Sequence, residues 1–204
     1  MAPRPTLILA STSPYRRSLL DRLSVAYVAA DPAVDEDLWS GLAPEPMVLA
    51  LAQAKAEAIV HPNALVIGSD QCVDLDGEVL GKPGTPERAV AQLERLAGKR
   101  HRLLTAVAVH DTSTGQTRVD LDVHTLTMRA LSRDTLEAYV RADQPMGCAG
   151  AYMLERRGVA LFESIEADPA LADDTAIIGL PMLRTLRLLR SFGTDLIEWP
   201  VASA

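Results

Sequence analysis

Between Ala64 and Asp70 the chain reads Ala-Leu-Val-Ile-Gly-Ser-Asp, apolar at every position until its last two residues. A strand with one wet face alternates apolar and polar residues. A strand covered on both faces has no reason to. Such a strand belongs in the middle of a sheet with helices on either side, so this segment alone implies a layered α/β fold. The rest of the chain agrees, because strand and helix signals alternate along it. No repeat, low-complexity stretch or Gly/Ser linker divides the 204 residues. That length suits one domain, residues 1–204, with two lobes around a cleft.

Thr6 to Ala10 reads as a buried strand. Ser13 then caps a helix with Pro14 at its first position and Leu19, Leu20 and Leu23 on its apolar face. Val25 to Ala29 reads as a second strand, with the acidic turn Asp35-Glu36-Asp37 after it. Pro44 to Ile59 is an Ala-rich helix. Asp76-Gly77 is the hairpin turn between Cys72–Leu75 and Glu78–Leu80. Thr85 to Leu96 is a helix capped by Thr85. Arg102–His110 and Thr117–Met128 are two antiparallel strands, and Ser132–Arg141 is a helix. Tyr152–Phe162 reads as short strands around Arg157-Gly158, and Leu180–Ser191 as the last helix, with peripheral residues after it.

Composition removes several function classes. The net charge is −7 and only 4% of residues are aromatic. That leaves neither the basic stripe nor the stacking platform that a nucleic-acid polymer requires. A small polyanion remains open, provided a few cations converge locally or a metal intervenes. Cys72 and Cys148 form no CxxC pair and read as reduced thiols of a cytoplasmic protein. The apolar run Leu7–Ala10 is too short for a signal peptide or a membrane span. His61, His101, His110 and His124 lack metal-ligand spacing, and neither a GxSxG elbow, a GxGxxG loop nor a P-loop occurs.

What remains points to phosphoryl chemistry. Ser11-Thr12-Ser13-Pro14-Tyr15-Arg16-Arg17 runs from a strand end through a Ser/Thr loop into a helix start, where free N–H groups favour an anion. Arg16 and Arg17 in the first turn oppose the helix dipole unless an anion compensates; the bland alternative is two solvated arginines. Lys55, four residues from both Leu51 and Ile59, either snorkels from their apolar stripe or needs an anionic partner there. Asp70 falls at the carboxyl end of the central strand, where α/β sheets place ligands. Counting outward from Asp76-Gly77 pairs Leu75 with Glu78, Val73 with Leu80, and Gln71 with Lys82. That register would bring Lys82 back beside Asp70. Glu36, in a trio that is otherwise an exposed acidic turn, could offer Mg²⁺ an oxygen. Cations, a carboxylate and a candidate metal site together suit attack by water on a phosphate.

These residues resemble the Maf proteins. The likeness begins with Leu9-Ala10-Ser11-Thr12-Ser13-Pro14 and Arg16-Arg17, and continues through Val34-Asp35-Glu36, Ala54-Lys55-Ala56 and Gly68-Ser69-Asp70-Gln71. It extends through Gly81-Lys82-Pro83, Gly98-Lys99 with His101, Cys148-Ala149-Gly150-Ala151-Tyr152 and Gly179-Leu180-Pro181. The ordered set is specific where each motif alone is weak. The resemblance implies a mixed, twisted central sheet with flanking helices and two lobes around a deep cleft, of the Maf/ITPase-like kind, often as a homodimer. It implies hydrolysis of a nucleoside triphosphate to the monophosphate and pyrophosphate with a divalent cation, Mg²⁺ or Mn²⁺. By motif, Ser11, Ser13, Arg16 and Arg17 would hold phosphates. Glu36 and Asp70 would serve the metal, with Asp70 also the proton acceptor, and Lys55 and Lys82 would neutralise developing charge. Tyr15, Gln71 and Glu155 are similar to the branch acting on 7-methyl-GTP; Glu155 otherwise reads as a solvated residue balancing Arg156 and Arg157. The dTTP/UTP branch, and a nucleotide-binding regulator of cell division, are the alternatives. Two departures from the pattern stand out: Thr105-Ala106 where relatives have Thr-Gly, and a longer segment from Asp168 to Asp174.

Overall fold

Residues 3–202 are described by a computed structural model. The apolar run is the start of a longer strand, β3 (Ala64–Leu75), in which every residue but Gln71 is buried. The remaining strands are β1 (Thr6–Ala10), β2 (Val28–Ala30), β4 (Glu78–Leu80), β5 (Arg100–Asp111), β6 (Gln116–Met128) and β7 (Phe162–Glu166). Six helices accompany them: α1 (Pro14–Asp21), α2 (Pro44–Glu57), α3 (Pro86–Leu96), α4 (Arg133–Asp143), α5 (Thr175–Ile178) and α6 (Met182–Ser191). The seven strands make one mixed sheet in the order β2-β1-β3-β5-β6-β7, with β4 added beside β3. β1 runs parallel to both β2 and β3, pairing Thr6 with Ala64 and Leu9 with Ile67. Central placement and two-sided burial of β3 are what the run Ala64–Asp70 required.

Helix starts obey their capping residues. The hydroxyls of Ser13, Thr85 and Ser132 each accept a backbone N–H from the first turn of α1, α3 and α4. The β3–β4 turn is also as read: Asp76 and Gly77 have φ of 55° and 89°, and the ladder pairs Leu75 with Glu78 and Val73 with Leu80. Two readings are corrected. Arg157–Leu161 is a 3-10 turn, not a strand, because the buried Gly158 folds back to donate to the Met153 carbonyl at 3.1 Å; the strand begins only at Phe162. The residues after α6 are not all peripheral. Leu196 joins the core, the Trp199 indole donates to the Ala26 carbonyl at 2.9 Å, and Val201 bridges Val25.

Contacts divide the chain into two compact units. The first comprises Met1–Asp70, Thr105–Asp122 and Asp173–Ala204. Its core includes Leu7, Leu9, Leu19, Leu20, Leu65, Ile67, Val107, Val109, Leu180 and Leu189. A buried arginine, Arg184 of α6, reaches Asp122 at 3.1 Å and Asp120 at 3.0 Å on β6. The second unit comprises Gln71–Leu104 and Val123–Ala172. Within it Leu93, Leu96 and Leu136 are fully buried, and His101 lies in an aromatic cluster with Tyr152 and Phe162. Burial pushes the His101 imidazole down to about 4, so it is neutral near pH 7.

In the first unit, α2 and β3 make an unusually close backbone approach. A Cβ on Gly68 would lie 2.3 Å from the Ala52 carbonyl oxygen and 2.6 Å from the Ala56 nitrogen. The backbone of α2 therefore rests directly on β3, with the small residues Ala52 and Ala56 at the contact. Gly68→Ala forces these backbones apart and should destabilise the protein by about 2–3 kcal/mol, the cost of overpacking a filled interior. A urea-unfolding midpoint equal to that of the parent protein would contradict this packing.

Candidate functional site

The contact of α2 with β3 carries Lys55 to the strand's carboxyl end. Lys55 Nζ lies 2.6 Å from Asp70 Oδ1 and 2.5 Å from Glu36 Oε1. The side chains of Lys55 and Asp70 are 9% and 12% exposed, and that of Glu36 is 56% exposed. An ammonium so far out of water needs an anion, and here it has two. Glu36 begins a short 3-10 turn, Glu36–Trp39, whose first N–H groups are capped by Asp35 through Asp37 N at 3.2 Å.

Arg16 completes the charge pattern. Its Nε donates to the Gly179 carbonyl at 2.8 Å. Burial lowers its pKa, while the nearby charges of Asp70 and Glu36 act in the opposite sense. A guanidinium remains charged through such a shift. Two cations thus balance two carboxylates. No hydrogen bond is made by the Nη groups of Arg16 among the described residues, so its fork is available to a ligand oxygen. Arg17 is used differently: Nη2 donates to the Ser11 carbonyl at 3.4 Å, and Nε is buried without a partner among the described residues. The Ser/Thr loop also holds itself. Ser11 Oγ accepts the Ser13 N–H at 3.1 Å, and Ser13 Oγ accepts the Arg16 N–H at 3.5 Å. Tyr15 is half-buried in the first turn of α1.

In the second unit the expected residues are placed less tightly. The antiparallel ladder stops at Leu80, so Gln71 and Lys82 do not pair. Pro83 offers no N–H, and the Gly84 N–H donates to the Met146 carbonyl at 3.1 Å, which takes the chain off the ladder. Lys82 is exposed and has no ion pair among the described residues. The cation against Asp70 is Lys55, from a helix fifteen residues earlier in the chain; the hairpin count did not find it. Glu155 sits exposed in a turn. Its neighbour Arg157 leans instead to Asp143 at 3.9 Å.

Sequence reasoning missed the residues that hold Arg16 in place. Ser69 Oγ, fully buried, donates to the same Gly179 carbonyl at 3.0 Å. The signs in the sequence were the motifs Gly68-Ser69-Asp70-Gln71 and Gly179-Leu180-Pro181, neither of which by itself links these residues to Arg16.

The donor set suits a divalent cation that is completed by its substrate. Glu36 and Asp70 meet at the Lys55 ammonium, which leaves Asp70 Oδ2 without a hydrogen-bond partner among the described residues. No group of three or more His, Cys, Asp or Glu residues is gathered among them to form an all-protein cage. Mg²⁺ takes one or two carboxylates plus phosphate oxygens, which matches a pair better than a cage.

The pairing has a measurable consequence. Lys55→Met leaves two converging carboxylates without their shared cation and should cost roughly 3 kcal/mol, toward the low end for a broken buried pair because Glu36 is half in solvent. Adding Asp70→Asn should recover part of that loss. Urea unfolding of the two variants checks it, and full additivity of their effects would show that the pair is not coupled.

Known proteins resemble the chain along nearly its whole length. The family model described as Maf-like protein matches residues 6–192. The chain is 46% identical over 193 residues to a 7-methyl-GTP pyrophosphatase of Albidiferax ferrireducens, covering 94% of this chain and 95% of that one. It is 43% identical over 193 residues to the protein of that name from Pseudomonas syringae pv. tomato, covering 94% and 98%. It is 45% identical over 194 residues to that of Bordetella pertussis, covering 94% of each. Matches that run almost end to end, over a mixed sheet whose central strand carries Asp70 onto Lys55, establish that the chain belongs to the Maf family.

Proposed function

We propose that the protein hydrolyses 7-methyl-GTP to 7-methyl-GMP and pyrophosphate. The observation that carries the reaction type is the set Glu36–Lys55–Asp70 beside the open fork of Arg16. The names of the relatives at 43–46% identity support the substrate.

On this reading water adds across the α–β anhydride, and the proton it loses goes to Asp70, whose Oδ2 is not engaged. Lys55 holds the other carboxylate oxygen at 2.6 Å, which fixes the base and offsets charge. Arg16 takes phosphate oxygens through its two Nη groups. Arg17, Ser11 and Ser13 shape the loop in front of it, and Lys82 adds positive charge. A divalent cation, Mg²⁺ or Mn²⁺, would be held by Glu36 and Asp70, where it supplies Lewis-acid polarisation of the phosphate. The family resemblance extends the proposal to a homodimer acting in the cytoplasm.

Base choice is assigned to Tyr15, Gln71 and Glu155. Guanine presents two donors on its Watson–Crick edge, and one carboxylate can accept both. Methylation at the seventh position makes the base cationic, so Glu155 gains Coulombic attraction. Stacking on Tyr15 adds a cation–π contribution of about 0.5–2 kcal/mol.

Three experiments test this. Pyrophosphate release from a panel of nucleoside triphosphates with Mg²⁺ or Mn²⁺ should favour 7-methyl-GTP over GTP and stop on chelation. Asp70→Asn should lower turnover by roughly 10²-fold or more without unfolding the protein. Near-normal turnover by that variant, or activity that survives chelation, would remove Asp70 and the metal from the reaction. Separately, Glu155→Gln should lose much of the preference for 7-methyl-GTP over GTP with a smaller effect on hydrolysis itself. A parent enzyme that prefers UTP or dTTP would reassign the substrate and leave the pyrophosphatase reading intact.

A further inference from the structure

We propose that Ser69 and Asp173 are positioning residues, which set the direction of the Arg16 fork through the carbonyl of Gly179. The inference rests on the reading of Arg16 as a phosphate ligand, and all of its geometry lies within the first unit.

A carbonyl oxygen has two lone pairs. That of Gly179 receives Arg16 Nε at 2.8 Å and Ser69 Oγ at 3.0 Å, so both are occupied. A guanidinium is planar, so a fixed Nε–H direction leaves its two Nη groups little freedom to turn. The direction of that carbonyl therefore sets where Arg16 presents its open donors. Gly179 itself has a φ of 128°, a conformation in which a side chain would be strained. Its N–H closes the end of α5 on Thr175 O and Ala176 O, at 3.2 Å and 3.1 Å.

The segment holding Gly179 is clamped at both ends by one buried carboxylate. Asp173 accepts the Thr175 N–H at 3.1 Å and the Thr175 hydroxyl through Oδ1, and the Leu183 N–H at 2.7 Å through Oδ2. The Thr175 hydroxyl in turn accepts the Met182 N–H at 2.9 Å. Asp173 thus joins the residue that opens α5 to the first turn of α6, with Gly179 between them. Thr105 Oγ on β5 ties the middle of the segment by donating to the Ala176 carbonyl at 2.9 Å. Asp173 touches none of Glu36, Lys55 or Asp70 through a hydrogen bond, so its influence on the site passes through the segment it closes.

A readout that needs no substrate comes first. In ¹⁵N-labelled protein the Arg16 Nε–H resonance, identified by its loss in Arg16→Lys, should exchange slowly with solvent. Ser69→Ala and Asp173→Asn should each speed that exchange about ten-fold while thermal melts show a folded protein. Unchanged exchange in both variants overturns the proposal. Should Asp173→Asn fail to fold, Ser69→Ala decides the matter alone. Kinetics with 7-methyl-GTP then tests the consequence. Each variant should lower kcat/KM about ten-fold in the parent background, the scale of a misplaced contact. In the Arg16→Lys background the further loss should be less than about two-fold, since the group they direct is already gone. Equal losses in both backgrounds would mean that they act on the fold generally, and would overturn the proposal. If the parent protein turns over no nucleotide while Arg16 Nε–H is protected in it and exposed by both substitutions, the functional reading fails and the positioning geometry stands.

Discussion

The site depends on one buried ammonium shared by two carboxylates. Isolated, Lys55 and Asp70 would each be costly to hold where the fold puts them, while Glu36 reaches in from solvent. Together they are mutually compensated. Such a pairing adds little net stability over an apolar equivalent, so its value is geometric: it fixes where a carboxylate oxygen stands. The sheet and helix serve that purpose. β3 delivers Asp70 from the most buried strand, α2 delivers Lys55, and the missing side chain of Gly68 lets the two backbones meet.

An acidic protein with a polyanionic substrate is then not a contradiction. Net charge of −7 acts over the whole surface, whereas binding is decided within a few ångströms. There the count is two cations against two carboxylates, with the fork of Arg16 still open. A metal held by the carboxylates would tip that local balance positive, and triphosphate would restore it. Substrate and metal would each complete the site for the other.

Much of this is legible in the amino-acid sequence. The run Ala64–Asp70 identifies the central strand because two-sided burial leaves a pattern no half-exposed strand has. The caps at Ser13, Thr85 and Ser132 and the Asp76-Gly77 turn are readable because their chemistry is local. That Lys55 needs an anion is also readable, but not which one: Asp70 and Glu36 come from other elements, and the close approach at Gly68 that sets α2 on the strand of Asp70 leaves no local pattern. The hairpin offers Lys82 for Asp70 because register counting assumes a ladder that continues, and this one stops at Leu80. Ser69 and Gly179 fall in motifs of the resemblance, but their contact with Arg16 could not be read, since Gly179 lies 163 residues from it. Arg157–Leu161 fails for the opposite reason: a short apolar stretch around a glycine looks the same whether it pairs or turns.

The arrangement of segments carries a consequence for the order in which the molecule can form. The first unit is assembled from the beginning, the middle and the last part of the chain, whereas every residue of the second has been made once Ala172 is reached. Chains emerge from the ribosome amino end first, and domains usually fold in that order. Here the order is inverted. Leu7, Leu9, Leu19 and Leu20 emerge first yet must wait for Leu180, Leu189 and Leu196 before their shared core can close. Through that interval they are exposed apolar surface, the kind a holding chaperone recognises. Arg16 waits as well, because the carbonyl it donates to is made 163 residues later.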